Sequence, residues 1–217
     1  MGDRKKPATA NKKTKPDWPS IKPKSNLSIN RLKDDDLITI QNYLTSAESK
    51  AFVNVAESIG FVHQGSLGPA WGEAYRDNDR ISVNDPFLAD AIWEAGLNKF
   101  FSDFKIRGRV AVGLNPNIRF YRYTAGQRFG RHIDESVDLG EGRRTYYTLL
   151  IYLSGVPGKT KAKSKNDNTS QDSLDPLVPP TEGTALVHIH GDKCMLHEAR
   201  NVSKGIKYVL RSDVVFA

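Results

Sequence analysis

The stretch RFYRYTAGQRFGRHIDES, residues 119–136, decides the fold and raises the question of function. Two tyrosines, Tyr121 and Tyr123, lead into a turn containing Gly126, and His132 and Asp134 follow two residues apart. In an extended strand, residues i and i+2 point to the same face. The pattern therefore predicts that an imidazole and a carboxylate reach into one space, which is two thirds of a metal site.

The segments around this stretch predict an α+β domain. Thr45 and Glu48 are spaced as a capping box that starts a first helix, and Asp85–Pro86 is a typical start for a second. From residue 107 apolar residues alternate with polar ones, and Gly, Pro and Asn turns separate the segments, which favours an antiparallel sandwich or barrel. The two helices should pack on one side of it. The predicted strands are 36–44, 109–114, 117–123, 144–153, 184–190 and 207–216.

The charge of the chain is concentrated at its N-terminus. Residues 1–33 contain ten Lys or Arg and two Asp, a net charge of +8, whereas the other residues contain 22 basic and 23 acidic side chains, a net charge of −1. We therefore expect a basic disordered tail at 1–33 that could contact acidic partners, and no nucleic-acid-binding surface on the core. The predicted organisation continues with a strand and helix support region at 34–106. A core follows at 107–217, with a disordered polar loop at 157–180.

The cysteine count and the hydropathy predict the cellular compartment of the protein. Cys194 is the single cysteine, so a reducing compartment, the cytoplasm or the nucleus, is expected. No run of residues approaches the ~18–20 consecutive apolar residues of a membrane-spanning helix, and the N-terminal residues lack the apolar segment of a secretory signal. The sequence therefore predicts no membrane association.

Three histidines after Asp134 are candidates for the third metal ligand. His188 and His190 alternate on one predicted strand, and His197 follows in CMLHEAR. Two histidines and one carboxylate on a β-barrel suit non-haem Fe(II), because three positions remain open. Zinc is the competing metal, although a single Cys194 without a partner thiolate gives little support for a structural zinc site.

Basic residues near the C-terminus indicate a second, anionic ligand. Lys207 lies ten residues after His197, and Arg211 falls on the same face of the predicted last strand. Burying such a cation is costly unless it meets an anion. Tyr152 is a further donor to that anion. The set suits a dicarboxylate that chelates the metal at one end and pairs with Lys207 or Arg211 at the other.

From about residue 37 onward, the chain resembles the prolyl-4-hydroxylase-like branch of the Fe(II)/2-oxoglutarate-dependent dioxygenases. Four stretches carry the resemblance in the order found in the family, namely RFYRYTAGQRFGRHIDES, YYTLLIYLSG, GTALVHIHGDKCMLHEA and GIKYVLRSDVVF. The resemblance implies a double-stranded β-helix, also called a jelly roll. It also implies hydroxylation of a C–H bond, on a prolyl or other protein residue, with succinate and CO2 as co-products. Fe(II), 2-oxoglutarate and ascorbate are the implied cofactors.

The resemblance also implies roles for individual residues. His132, Asp134 and His197 match the iron ligands, with His190 as an alternative to His197. Tyr123 resembles the tyrosine that lines the co-substrate pocket, and Tyr152 resembles the one that reaches the far carboxylate. Lys207 matches the basic anchor of 2-oxoglutarate, and Arg211, further along the strand, is an alternative anchor.

One departure from the family pattern leaves a rival hypothesis open. Relatives carry a Gly-Gly-x-Thr-x-Phe strand after the segment that corresponds to IYLSG, but here DPLV runs directly into PPTEGTALVHIH. Losing a strand leaves the backbone groups of its neighbours unpaired. The alternative is therefore a shortened, catalytically weak variant that acts as a binding or regulatory protein. A nucleic-acid demethylase is a third option, which the nearly neutral core disfavours.

Overall fold

The computed structural model describes residues 16–66, 74–155 and 178–217. Strands dominate this part of the chain, and none of its helices has the length and apolar character needed to span a bilayer. The strands are β1 Ser28–Lys33, β2 Leu37–Gln41, β3 Val62–Gly65, β4 Arg76–Asn84, β5 Lys105–Ile106, β6 Arg109–Leu114, β7 Asn117–Tyr123, β8 Arg128–His132, β9 Asp138–Gly140, β10 Arg143–Tyr152, β11 Ala185–Ile189, β12 His197–Ala199 and β13 Lys207–Phe216.

Most of these strands form one antiparallel sheet that curls into a half-barrel. Its order is β1-β2-β11-β10-β13-β7-β4-β8-β12. β11 and β12 are six places apart in this order, yet the rings of His188 on β11 and His197 on β12 lie with centroids 4.6 Å apart. Neighbouring strands are about 4.8 Å apart, so a flat sheet would separate these two by roughly 29 Å. The sheet must therefore curl, as the predicted jelly roll requires.

The alternation along each central strand gives the sheet two different faces. On β11, Val187 and Ile189 belong to the main hydrophobic core, whereas Leu186 belongs to a smaller cluster on the opposite face. β10 follows the same rule, with Ile151 in the main core and Tyr152 in the smaller cluster. The main core fixes the sheet, and the opposite face lines the concave interior in which the site lies.

The described part of the chain also contains three α-helices, namely α1 Ser46–Ile59, α2 Pro86–Ile92 and α3 Asn98–Phe100. A π-helical segment, Trp93–Leu97, lies between the last two, and a short 3-10 helix, Gly191–Lys193, follows β11. The predicted capping box is present, because the Thr45 side chain accepts from the backbone of Glu48 and the Glu48 side chain accepts from the backbone of Thr45. Asp85 caps α2, with Pro86 in its first turn. Phe52 of α1 is fully buried in the main core. The expectation that both helices lie on one side of the barrel stays a prediction.

The predicted tail and the predicted regions need correction. Residues 28–33 were expected to be disordered, but they form β1, which pairs with β2 and so shields the outer edge of that strand. Trp18 is also ordered, since its ring stacks on Phe120 with centroids 4.9 Å apart. β2 and β4 come from the predicted support region but are paired within the core sheet. Residues 1–15 and residues 157–177 of the predicted loop 157–180 lie outside the described residues.

The sheet ends at β12. Within the described ranges no strand lies between β10 and β11, and β12 pairs only with β8. β12 therefore forms an edge of the half-barrel, beside the metal-binding positions proposed from the sequence.

Candidate metal and co-substrate site

The opening stretch folds as a strand, a tight turn and a second strand. Gln127 donates its backbone N–H to the Thr124 carbonyl at 3.0 Å, which closes the turn. Gly126 lies inside it at φ +88°, a conformation that glycine adopts without steric cost. β8 then runs to His132, and Asp134 lies just past its end. The strand geometry expected at positions 132 and 134 thus holds only up to His132, although both side chains still reach the same space.

The structure brings the three predicted ligands together. His132 and His197 are direct cross-strand partners on β8 and β12, and their ring centroids are 4.2 Å apart. Nε2 of His132 lies 3.8 Å from Oδ1 of Asp134, and Nε2 of His197 lies 3.8 Å from Oδ2 of the same residue. The candidate ligand atoms of all three residues fall within 4.8 Å of one another.

The hydrogen bonds of both imidazoles leave Nε2 available as a ligand. Nδ1 of His132 lies 2.9 Å from the Gly130 carbonyl, and Nδ1 of His197 lies 2.8 Å from the Met195 carbonyl. A carbonyl only accepts, so each Nδ1 must carry the proton, and each Nε2 keeps a free lone pair. Burial lowers the pKa of His132 to about 4, which keeps its ring neutral as a metal ligand must be.

Two contacts orient the carboxylate of Asp134, and a third holds its backbone. The Thr148 hydroxyl donates to Oδ2 at 2.7 Å, and the Arg211 guanidinium lies 3.0 Å from Oδ1. The backbone N–H of Asp134 donates to Sγ of Cys194 at 3.2 Å. Burial by itself would raise the pKa of the Asp134 carboxyl, but Arg211 and Thr148 hold it well below its usual range. The residue is therefore an anion with a fixed orientation.

These donors fit a ferrous ion. Two neutral imidazoles and one carboxylate on adjacent elements form a facial set of nitrogen and oxygen ligands, which suits Fe(II) and leaves open positions. A second group, His188, Cys194 and His197, also has the proximity needed for a metal, but it shares His197 with the first. Sγ of Cys194 already accepts the Asp134 N–H, and no second cysteine exists to complete a zinc-thiolate site.

His190, the predicted alternative ligand, lies behind the site. Its Nε2 is 2.7 Å from the Thr148 hydroxyl. Because Thr148 gives its own proton to Asp134, it accepts the proton of His190. His190 thus supports Thr148, which orients Asp134, whereas it is His197 that lies with His132 and Asp134.

The two candidate anchors occupy opposite ends of the cavity. Arg211 is beside Asp134, whereas Lys207, four residues earlier on β13, is roughly 13 Å away along the strand. Nζ of Lys207 lies 5.0 Å from the ring centroid of Tyr123, its cross-strand partner. Burial lowers the pKa of Lys207 to about 8, and raises the pKa of the neighbouring Tyr152 to about 12. Burial is the only cause of the lowered pKa of Lys207, which forms no ion pair with any residue that the structure describes.

All seven residues selected from the sequence line one cavity of about 840 Å³. The other lining residues include Thr148, which the sequence did not indicate, and His188, which was one of the three histidines considered for the third ligand. His188 faces the metal-binding positions with Nε2 at 3.5 Å from Oδ2 of Asp134, and burial lowers its pKa to about 3. The sequence placed Leu186, His188 and His190 on one face of a predicted strand. It did not show that this face of the strand lines the cavity.

Comparisons with known proteins agree with this architecture. No protein-family model matches the sequence, and no curated protein matches it either. Among solved structures, the viral collagen prolyl hydroxylase of Paramecium bursaria Chlorella virus-1, in complex with 2-oxoglutarate, aligns with a TM-score of 0.57 at 18% identity. This alignment covers 84% of the present chain and 96% of the viral one.

A prolyl hydroxylase of Trichoplax adhaerens, in complex with a peptide fragment of the oxygen degradation domain of hypoxia inducible factor, is similarly close. It aligns with a TM-score of 0.56 at 16% identity over 84% of each chain. The present chain therefore has the jelly-roll fold of the prolyl hydroxylases, a group of Fe(II)- and 2-oxoglutarate-dependent dioxygenases.

Proposed function

We propose that the protein is an Fe(II)- and 2-oxoglutarate-dependent dioxygenase that hydroxylates a C–H bond of a peptide or protein, with a prolyl residue as the first candidate. One observation carries the proposal. His132, Asp134 and His197 converge at one end of a cavity whose other end holds Lys207, a largely buried cation with no anionic partner among the described residues. A dicarboxylate that chelates a metal at one end satisfies both ends at once.

When bound, the metal and its co-substrate would supply the oxidising chemistry, in which dioxygen and 2-oxoglutarate give succinate and CO2, and the second oxygen atom of dioxygen becomes the hydroxyl group on the substrate. The residues of the chain bind and orient. His132 and His197 present Nε2, and Asp134 presents a carboxylate that Thr148 and Arg211 hold in place. Phe129 stacks on the His132 ring with centroids 3.7 Å apart, which further restricts that ligand.

The far end of the cavity binds the second carboxylate in this proposal. Lys207 provides the charge, and Tyr152, on β10 next to β13, provides a hydroxyl. Because the pKa of Tyr152 is raised, its hydroxyl stays protonated and can donate. Tyr123 packs beside the Lys207 ammonium. Leu150 and Val209 complete an apolar wall that excludes water from the co-substrate.

The peptide substrate is the finer part of the proposal. Leu196 and Ile206 line the cavity, yet they are 53% and 48% exposed, so apolar surface remains at its rim. Such surface is suited to an extended apolar or prolyl segment. Arg76 of β4 lies 4.0 Å over the Phe129 ring, at the cavity wall. The solved relative that holds a peptide is consistent with this class of substrate.

We do not favour the alternative of a binding or regulatory protein, because every side chain that the proposed chemistry needs is present around one cavity. Ascorbate is proposed as a reductant that restores the ferrous state. It would raise the number of turnovers without being required for the first.

Succinate formation tests the proposal. The full chain, supplied with Fe(II), 2-oxoglutarate and proline-containing peptides, should release succinate, and mass spectrometry should show one added oxygen atom on the peptide. His197→Gln should abolish both signals, whereas His63→Gln, whose imidazole is 60% exposed on β3, should retain them. Absence of Fe(II)- and 2-oxoglutarate-dependent succinate at any enzyme concentration would overturn the proposal.

A further inference from the structure

His188 and Cys194 are two potential metal ligands that the proposed reaction does not use. Their ligand atoms and that of His197 all lie within 4.8 Å of one another. His188 is on β11, His197 is on β12, and Cys194 directly follows the 3-10 helix between these strands. We call these three residues the thiolate set. It has only His197 in common with the iron-binding set described above.

β11 fixes the His188 imidazole beside the other members of the thiolate set. The strand is paired on both sides, and Thr148 of β10 and Leu37 of β2 are the cross-strand partners of His188. The His188 side chain is 6% exposed, and its Nε2 forms no hydrogen bond within the described part of the chain. Oδ2 of Asp134 lies 3.5 Å away, which is longer than the about 2.7–3.2 Å of an N–H···O hydrogen bond. Nε2 is thus a buried nitrogen, at most weakly paired, on a rigid strand.

The sulfur of Cys194 is also held in a defined position. Sγ accepts the backbone N–H of Asp134 at 3.2 Å, and its thiol group donates to the Met195 carbonyl at 3.6 Å. A bound metal ion would replace the thiol proton, which passes to solvent as the sulfur becomes a thiolate. The N–H of Asp134 does not oppose this exchange, because a hydrogen bond strengthens when its acceptor becomes ionised.

The two ligand sets favour different metals. Thiolate selects softer ions such as Zn(II), whereas two imidazoles and a carboxylate suit Fe(II). The single cysteine argues against a closed structural zinc site, but an open site needs only three protein ligands and a water molecule. Bonds of about 2.1 Å to nitrogen and about 2.3 Å to sulfur, at tetrahedral angles, place ligand atoms roughly 3.5 Å apart. Since no pair in the thiolate set exceeds 4.8 Å, side-chain shifts of about 1 Å are sufficient.

His197 can serve only one of the two ligand sets at a time. Its Nδ1 donates to the Met195 carbonyl at 2.8 Å, so Nε2 is its only nitrogen with a free lone pair. We propose that the thiolate set binds Zn(II) and, by taking His197, prevents Fe(II) from binding. Zinc is then an inhibitor that acts through residues outside the proposed reaction. The inhibition rests on the proposed function, whereas the zinc site does not.

X-ray absorption at the zinc edge, on the full chain with one equivalent of Zn(II), tests the site without turnover. The wild type should show one sulfur ligand at about 2.3 Å beside nitrogen ligands at about 2.1 Å. Cys194→Ser should lose the sulfur ligand. His188→Gln should bind Zn(II) at least about tenfold more weakly, because even a supporting partner contributes that much. His63→Gln, an exposed histidine outside the site, should match the wild type in both measurements.

Displacement of Mn(II), a spin-resonance probe of the iron-binding set, tests the exclusion. One equivalent of Zn(II) should release Mn(II) from the wild type. Cys194→Ser should need at least about tenfold more Zn(II), relative to its own affinity for Mn(II). Zn(II) and Mn(II) bound to the same chain together would overturn the exclusion.

The remaining outcomes separate this inference from the proposed function. Zinc with only nitrogen and oxygen ligands in the wild type would overturn the thiolate set, and so would a sulfur ligand that persists in Cys194→Ser. Neither result affects the proposed function, which fails instead if no succinate is formed. Since the wild-type spectrum needs no variant, a folding defect in His188→Gln cannot obscure the result.

Discussion

Replacing Lys207 by Met tests the assignment of the co-substrate anchor. Burial lowers the pKa of Lys207 from 10.5 to about 8. This shift corresponds to a free-energy cost of roughly 3 kcal/mol for keeping the ammonium charged in the cavity. Pairing with the far carboxylate of 2-oxoglutarate should recover a similar amount. Lys207→Met removes the charge and keeps the length of the side chain, so 2-oxoglutarate should bind about 100- to 200-fold more weakly. The free energy of unfolding without co-substrate should stay unchanged or increase, because the unpaired buried charge is gone.

Calorimetric titration of 2-oxoglutarate into the Mn(II)-loaded full chain measures this effect without turnover. Lys50→Met, an exposed position on α1, is the matched control and should bind as the wild type does. Arg211→Met should behave differently, because Arg211 pairs with Asp134 and its loss should first weaken metal binding. A change of less than about fivefold in Lys207→Met, or a large loss of its stability, would refute the reasoning and return Lys207 to a structural role.

Three further predictions concern pH, the metal and the N-terminal segment. The affinity for 2-oxoglutarate should fall about tenfold between pH 7 and pH 9, because the Lys207 ammonium that binds 2-oxoglutarate loses its proton above a pKa of about 8. An affinity that does not change with pH in a calorimetric series would contradict this prediction. Thr148→Val removes the hydroxyl that donates to Asp134 and should weaken Mn(II) binding roughly 10- to 100-fold in a spin-resonance titration. The control Thr39→Val, on β2, should leave Mn(II) binding unchanged. Equal Mn(II) affinities of the two variants would contradict this prediction. Trp18→Ala should lower the free energy of unfolding, measured in urea, by about 2 kcal/mol, because the Trp18 ring stacks on Phe120. A loss below about 0.5 kcal/mol would show that the N-terminal segment around Trp18 does not stabilise the fold.

The elements that the sequence could predict are those with strong local signals. The alternation in RTYYTLLIYL and KYVLRSDVVF reports strands with one face in the core, and β10 and β13 match it closely. The capping box at Thr45 starts α1 as expected. β1 was missed because six exposed residues rich in charge carry no hydrophobic alternation. β1 is ordered because it pairs with β2, and this tertiary contact leaves no signal in the local sequence.

The sequence predicted which residues form the candidate site better than it predicted how they are arranged. The spacing of His132 and Asp134 and the order of the motifs predicted the candidate ligands. The sequence did not show that Asp134 lies past the end of β8, where Thr148 and Arg211 hold it from the central strands. Those partners depend on how the sheet curls. The choice between Lys207 and Arg211 likewise needed the register of β13, which places Arg211 at the metal end. His188 was visible as one of two alternating histidines, but its unpaired nitrogen was not.

A crystal structure of the full chain soaked with Mn(II) and 2-oxoglutarate tests the central claim most directly. We predict one anomalous peak coordinated by His132, Asp134 and His197, with the co-substrate chelating the ion and its far carboxylate on Lys207. Density for the metal elsewhere, or a site that lacks either of those two imidazoles, would contradict the account.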